Sequence, residues 1–82
     1  MAFGYNARKA QALAIFESHG RLSPSEWAAL ARFYPMRASY GYLFRLYRFG
    51  LLRRGSNGRG YVAYSLSARG RRRLAWLRDG AT

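Results

Sequence analysis

The fold of this chain is decided by residues 22–50, LSPSEWAALARFYPMRASYGYLFRLYRFG. Residues 23–26, Ser-Pro-Ser-Glu, have the pattern of a capping box with proline at the first helical position. Leu22, just before them, can pack against Trp27 as a hydrophobic staple. The pattern predicts a helix over residues 24 to about 33.

A tight turn and another helix follow. Pro35 lacks a backbone donor and disfavours helical backbone at Tyr34, so the preceding helix must end before it. The next helix is predicted from about Met36 to Phe49, with Gly50 ending it. Its apolar residues recur on one face, which is expected to point inward: Met36, Leu43, Leu46 and Tyr47. Two helices joined by such a turn have the outline of a helix-turn-helix.

The flanking segments extend this pattern in both directions. Upstream, Asn6 can cap a helix that runs to about Ser18 and is stopped by Gly20. Downstream, residues 51–54 are too short for a helix, and the following GSNG has dense turn chemistry. Residues 61–66 then alternate with the period of a strand, so a β-hairpin with a basic tip is predicted.

A last helix is predicted after the hairpin. Ser67 can cap it, and it runs from Ala68 to about Arg78 with Leu74 and Leu77 facing the core. Gly70 lowers helix propensity by about 1 kcal/mol. A glycine at this position therefore suggests a close approach of another backbone segment.

The sequence blocks in this order resemble a known family. They are residues 21–27, residues 43–54 with the run Phe-Gly-Leu-Leu-Arg-Arg, and residues 64–74 with Tyr-Ser-Leu-Ser-Ala-Arg-Gly. Over residues 7–78 the chain is similar to the winged helix-turn-helix DNA-binding domains of small bacterial and phage transcription regulators, the MarR-like and PadR-like groups.

The resemblance implies a mainly α fold with a β-hairpin wing (α+β). The expected order is helix, short strand, helix, helix, strand, strand, helix. It also implies a third helix in the major groove of DNA and a wing along the backbone or minor groove. With 82 residues, a single domain over 1–82 is expected, with a core at about 6–78 and loose ends.

The charge of the chain also indicates a nucleic-acid partner. The chain carries 15 basic residues against three acidic ones, a formal net charge of +12, which is typical of a polyanion-binding protein. All the basic residues except Lys9 are arginine, whose planar fork suits phosphate and guanine. Residues 1–41 carry +3 and residues 42–82 carry +9, so the ligand is expected to dock mainly on the second half.

The predicted partner is double-stranded DNA, and the candidate contacts divide into three groups. Base contacts are expected from the third helix, through Arg37, Ser39, Tyr40 and Arg45, with Arg48 on the same helix. Wing contacts are expected from Arg53, Arg54, Asn57 and Arg59. Phosphate contacts are expected from Arg71 and Arg72 on the last helix, along with neighbouring arginines of that helix.

Other classes of function find little support. Cysteine is absent, His19 is the only imidazole, and the three carboxylates show no pattern of convergence. We therefore expect no enzymatic activity, no cofactor and no metal site. No membrane span or signal peptide is apparent, so a cytoplasmic, nucleoid-associated protein of bacterial or phage origin is expected. Trp27 and Trp76 are interpreted as core or interface packing.

Two alternatives stay open. Arginines interleaved with Tyr and Phe over residues 40–49 could form a stacking platform for RNA or single-stranded DNA. The wing and the aromatic helix could instead bind an acidic protein, because a fold alone does not determine function. A homodimer is possible, and no small-molecule effector site is evident.

Overall fold

The computed structural model describes residues 5–56 and 58–80. Four helices and two strands follow one another as α1 (Tyr5–His19), α2 (Pro24–Ala31), α3 (Arg37–Arg48), β1 (Leu52–Ser56), β2 (Val62–Leu66) and α4 (Ala68–Gly80). The predicted mainly α fold with a β-hairpin wing is confirmed.

The short strand expected between α1 and α2 is reduced to one bridge residue, Leu22, which pairs with the hairpin. β1 and β2 pair antiparallel, from Leu52 opposite Leu66 to Ser56 opposite Val62. On the other side of β2, Leu22 and Tyr64 exchange two backbone hydrogen bonds, with N···O distances of 2.9 and 2.8 Å. This bridge ties the segment before α2 to the wing.

The capping box at the start of α2 is confirmed. The Ser23 backbone N–H donates to Glu26 Oε1 at 2.8 Å, and the Glu26 backbone N–H donates to Ser23 Oγ at 3.3 Å. The helix ends at Ala31, two residues earlier than predicted, because Arg32 adopts a left-handed conformation with φ of 52°.

Two predicted helix ends require correction. α1 begins at Tyr5, so Asn6 lies inside the first turn and not in the extended backbone conformation of an N-cap. At its other end, α1 stops before Gly20 as predicted, with φ of 80° at the glycine. α4 continues to Gly80, beyond the predicted end at Arg78.

The core forms where α1, α2, α3, the hairpin and α4 meet. Trp27 is 1% exposed, and its indole N–H donates to the Ala12 carbonyl at 3.3 Å. The rings of Phe16, Phe33 and Tyr42 lie around it, with centroids 5.2 to 6.3 Å away. Trp27 is therefore a core residue, as predicted, and it fixes α2 against both α1 and α3.

The start of α4 packs closely on the turn between α3 and β1. Ser67 Oγ donates to the Gly50 carbonyl at 2.6 Å and accepts from the Gly70 N–H at 2.9 Å. A Cβ on Gly70 would collide with the carbonyl oxygen of Leu51. Both the Ser67 cap and the close backbone approach at Gly70 are confirmed.

Candidate nucleic-acid interface

α3 buries one face and leaves the other open. Leu43 and Leu46 are 0% and 2% exposed, and they hold the helix against α2 and β1. The outer face bears the exposed residues Arg37, Ala38, Tyr40, Gly41, Phe44, Arg45 and Arg48. A helix fixed in this way can present side chains to a ligand without losing its own packing.

Ser39 does not belong to that outer face, so its prediction as a base contact is wrong. Its side chain is fully buried, and Oγ donates to the Met36 carbonyl at 2.6 Å. Helical spacing predicts this burial, since Ser39 lies four residues before Leu43 and seven before Leu46, on the same helical face.

Met36 also departs from the sequence interpretation, because it is 43% exposed and not inward-facing. It occupies the N-cap position of α3. The inner face of α3 therefore starts with Ser39, one turn later than the apolar pattern indicated.

Arg54 on β1 lies against the aromatic residues of α3. Its guanidinium carbon is 5.7 Å from the ring centroid of Phe44 and 5.9 Å from that of Tyr47. Arg48 approaches the Phe44 ring from α3 itself, at 6.0 Å. These cation–π contacts place two predicted DNA-binding arginines, one from the helix and one from the wing, beside the same ring.

A groove of about 810 Å³ separates the helix from the wing. It is lined by the first turn of α2, the outer face of α3 and the hairpin, through Ser23, Pro24, Ser25, Glu26, Tyr40, Gly41, Phe44, Arg54, Arg59, Tyr61, Val62 and Tyr64. Of the predicted contacts, the groove brings together Tyr40, Arg54 and Arg59. Arg37, Arg45 and Arg48 are exposed on α3 but do not line it.

Sequence reasoning did not assign the other lining residues to a site, and Tyr61 and Glu26 are the most informative of them. Tyr61 is 67% exposed, and its signal was its place directly after the turn glycine Gly60. Glu26 adds a negative charge to the groove wall. The backbone N–H of Ser23, and then its side chain, hydrogen-bond to Glu26 and hold its pKa below the usual range, and the charge of Arg59 acts in the same direction.

The wing tip is shaped by glycine and anchored at its base. Gly58 and Gly60 have φ of 89° and 86°, conformations that favour glycine. Arg21 donates to the Ser56 carbonyl at 3.1 Å. Arg53 is exposed and points to the opposite sheet face from Arg54, because successive strand residues alternate. Asn57, predicted as a wing contact, lies outside the described residues.

The predicted contacts on α4 lie apart from the groove. Arg71 and Arg72 are exposed, but no α4 residue lines the groove. Arg78 instead pairs with Glu17 of α1 at 3.0 Å. Trp76 is 57% exposed, so it is not a core residue, and its interpretation as interface packing stays a prediction. Arg73 lies over its ring at 5.4 Å.

The described ranges, 5–56 and 58–80, hold neither a cluster of metal ligands nor a membrane-spanning helix. Within them no group of three or more His, Asp or Glu side chains could hold a metal ion. No helix of this part of the chain combines the length and the apolar character that crossing a bilayer requires.

Comparison with known proteins supports the architecture. No family model matches the chain, and no curated protein matches it either. Among solved structures it is similar to the YusO protein from Bacillus subtilis, with a TM-score of 0.81 and 24% sequence identity. The match covers 89% of this chain and 52% of YusO, so the chain spans about half the length of that protein. At this identity the likeness establishes the fold.

Proposed function

We propose that this protein is a non-enzymatic, sequence-selective double-stranded DNA-binding module, a small transcription regulator acting in the cytoplasm at the nucleoid. One observation carries the proposal. α3 turns an exposed, arginine-bearing face outward beside a hairpin that carries three further arginines, Arg53, Arg54 and Arg59.

The dimensions of α3 suit a major groove. An α-helix with its side chains is about 10–12 Å across, which matches the major-groove width of about 12 Å, and the 12 residues of α3 give it a length of about 18 Å. Arg37, Tyr40 and Arg45 would face base edges, where arginine can form bidentate hydrogen bonds to guanine. Arg48 would lie at the C-terminal end of the helix, towards the phosphates.

The wing would supply affinity with little sequence information. Arg54 and Arg59 line the groove beside α3, so they would follow the DNA strand that borders the inserted helix. Arg53 and the glycine-rich tip would reach the neighbouring backbone or minor groove, where a narrow hairpin can approach closely. Neutralisation of phosphates by these arginines would release counterions and drive much of the binding.

Duplex titrations at several salt concentrations test this proposal. The logarithm of affinity should fall linearly with the logarithm of salt, with a slope of about −0.9 per phosphate neutralised. Replacing Arg53, Arg54 and Arg59 together by alanine should flatten the slope by about 2.7. A salt-independent affinity, or a slope that this triple variant leaves unchanged, would contradict the mechanism.

A second candidate function rests on the exposed rings along the groove. Tyr40, Phe44 and Tyr61 are 53%, 39% and 67% exposed, and unstacked bases of RNA or single-stranded DNA stack on such rings. Competition between single strands and duplexes separates the two. A preference for single strands, with Tyr40→Ala more damaging than Arg45→Ala, would favour this second function over duplex binding.

A further inference from the structure

The arginines of α4 form a surface that duplex binding through α3 leaves unused. Arg72, Arg73 and Trp76, with Arg69 at the edge, line a shallow depression on the outer side of the helix. We propose that this α4 surface binds the phosphate backbone of a second DNA segment, so that one domain holds two duplexes together. The inference rests on the proposed DNA-binding function.

The α4 surface is separate from the groove beside α3. No residue lines both. α4 packs mainly against α1, whereas α3 packs against α2 and β1, so the two helices sit at the two ends of the series α4, α1, α2, α3. The α4 N-terminus meets the α3–β1 turn at Gly50 and Arg69.

The chemistry of the surface fits a polyanion. α4 carries five arginines and a single acidic residue, Asp79. Arg78 is paired with Glu17 on the flank that faces α1, whereas Arg72 and Arg73 lie on the other flank, together with the exposed ring of Trp76. A second copy of this chain would bring like charges together here, which disfavours self-association through this surface.

A single straight duplex is a poor candidate to serve both surfaces. The longest dimension of the molecule is 41 Å, which corresponds to about 12 base pairs at 3.4 Å per pair. DNA of that length is a rigid rod, because its persistence length is about 150 base pairs. A rod of this kind cannot bend around the domain, and the proposal therefore assigns Arg72 and Arg73, which do not line the groove beside α3, to another segment.

Two double variants with equal charge loss form the test. Arg72→Ala/Arg73→Ala changes the α4 surface and spares Arg69, which packs against Gly50. Arg37→Ala/Arg45→Ala changes the outer face of α3. Each variant removes two positive charges from exposed helical positions, and circular dichroism establishes that both remain folded.

The first measurement is the affinity for one labelled duplex of about 12 base pairs, by fluorescence anisotropy with protein in excess. The second is energy transfer between donor-labelled and acceptor-labelled copies of that duplex, with DNA in excess. The wild type should bind and bring the two labels together. The α4 variant should keep its affinity within about threefold but lose the energy transfer, whereas the α3 variant should lose affinity about tenfold or more.

Trp76 provides a local readout of the same surface. Trp27 is 1% exposed and Trp76 is 57% exposed, so quenching of tryptophan emission by iodide reports mainly Trp76. When a duplex occupies only α3 and the wing, iodide should still quench Trp76. When DNA is in excess and a second duplex occupies the α4 surface of the wild type, quenching of Trp76 should decrease.

Several outcomes would overturn the inference. Energy transfer that survives in the α4 variant would show that pairing of the duplexes arises elsewhere, for instance through dimerisation. Equal losses of affinity in the two variants would place both surfaces in one footprint. If the wild type binds duplex DNA without energy transfer, the second site is refuted and the proposed function still stands. If the wild type binds no duplex, the second site and the proposed function are both refuted.

Discussion

At the scale of single residues, Gly70 shows how the backbone packing of this fold limits substitution. It lies inside α4, where glycine is unfavourable by about 1 kcal/mol relative to alanine. It is nevertheless needed, since a Cβ would meet the Leu51 carbonyl oxygen and lie 2.9 Å from Leu66 Cδ1. Backbone cannot move aside as a flexible side chain can, so the helix accepts the unfavourable residue.

We therefore expect Gly70→Ala to destabilise the protein by about 1–3 kcal/mol or more, the usual range for overpacking. Gly41 is a matched control because it is also a helical glycine, but a Cβ added there would meet nothing within 4 Å. Gly41→Ala should stabilise by up to about 1 kcal/mol. Urea unfolding measures both, and equal effects of the two substitutions would contradict the packing argument.

At the scale of elements, the start of α2 depends on an ionised carboxylate. Hydrogen bonds within the capping box lower the pKa of Glu26. A group whose pKa is lower in the folded state contributes stability above its unfolded pKa, about 4.3 for glutamate. That contribution is lost as pH falls through the folded value.

The stability of the wild type should thus fall on acidification below about pH 4.3, and Glu26→Gln should reduce that fall while keeping an acceptor for the Ser23 N–H. Thermal unfolding followed by circular dichroism at stepped pH measures this. Glu17→Gln serves as the control, because its carboxylate pairs with Arg78 at a half-exposed site, where ion pairs contribute about 0–1 kcal/mol. Identical acid profiles for the wild type and Glu26→Gln would exclude the cap as the cause.

The contact between wing and helix gives a second prediction at this scale. Arg53 and Arg54 are neighbours on β1 and carry the same charge, but only Arg54 lines the groove and meets the rings of Phe44 and Tyr47. Arg54→Ala should therefore weaken duplex binding more than Arg53→Ala, by about tenfold against a few-fold. Anisotropy titrations at one fixed salt concentration compare the two, and an equal loss would mean that only net charge matters.

Some features of the helices and strands could be predicted from the sequence because they depend on residues close together in the chain. The capping box at Ser23 and the cap at Ser67 were predictable because each depends on residues three positions apart. Gly70 was predictable because a glycine inside a helix needs a packing reason. The end of α2 at Ala31 was not, because Arg32 adopts a left-handed backbone without being glycine or asparagine.

The site was harder to predict than the fold. Charge alone placed the arginines on exposed surfaces, but it could not show which of them share one groove. Tyr40, Arg54 and Arg59 come together only because Leu22 bridges Tyr64 and the hairpin folds back beside α3. Ser39 was predicted as a base contact because its side chain is small and polar, although helical spacing assigns its position to the inner face.

At the scale of the whole molecule, a net charge of +12 on 82 residues opposes the compact state through self-repulsion. Raising sodium chloride from about 0.01 M to 0.15 M shortens the Debye length from about 30 Å to 8 Å. The shorter length is well below the 21 and 27 Å widths of the molecule, so repulsion across the molecule is screened. The melting temperature should rise over this range. Calorimetry measures the shift, and a melting temperature that falls with salt would contradict the account.

The attachment of α4 has a mechanical consequence. Ser67 bonds the Gly50 and Leu51 carbonyls, and Gly70 presses on the same short turn from which α3 ends and β1 begins. The N-terminus of α4 is thus fixed to the turn that joins α3 to β1, while Arg78 near its other end pairs with Glu17 of α1. A substitution that shifts the start of α4 would therefore be felt first at this turn, and through it at the ends of α3 and β1.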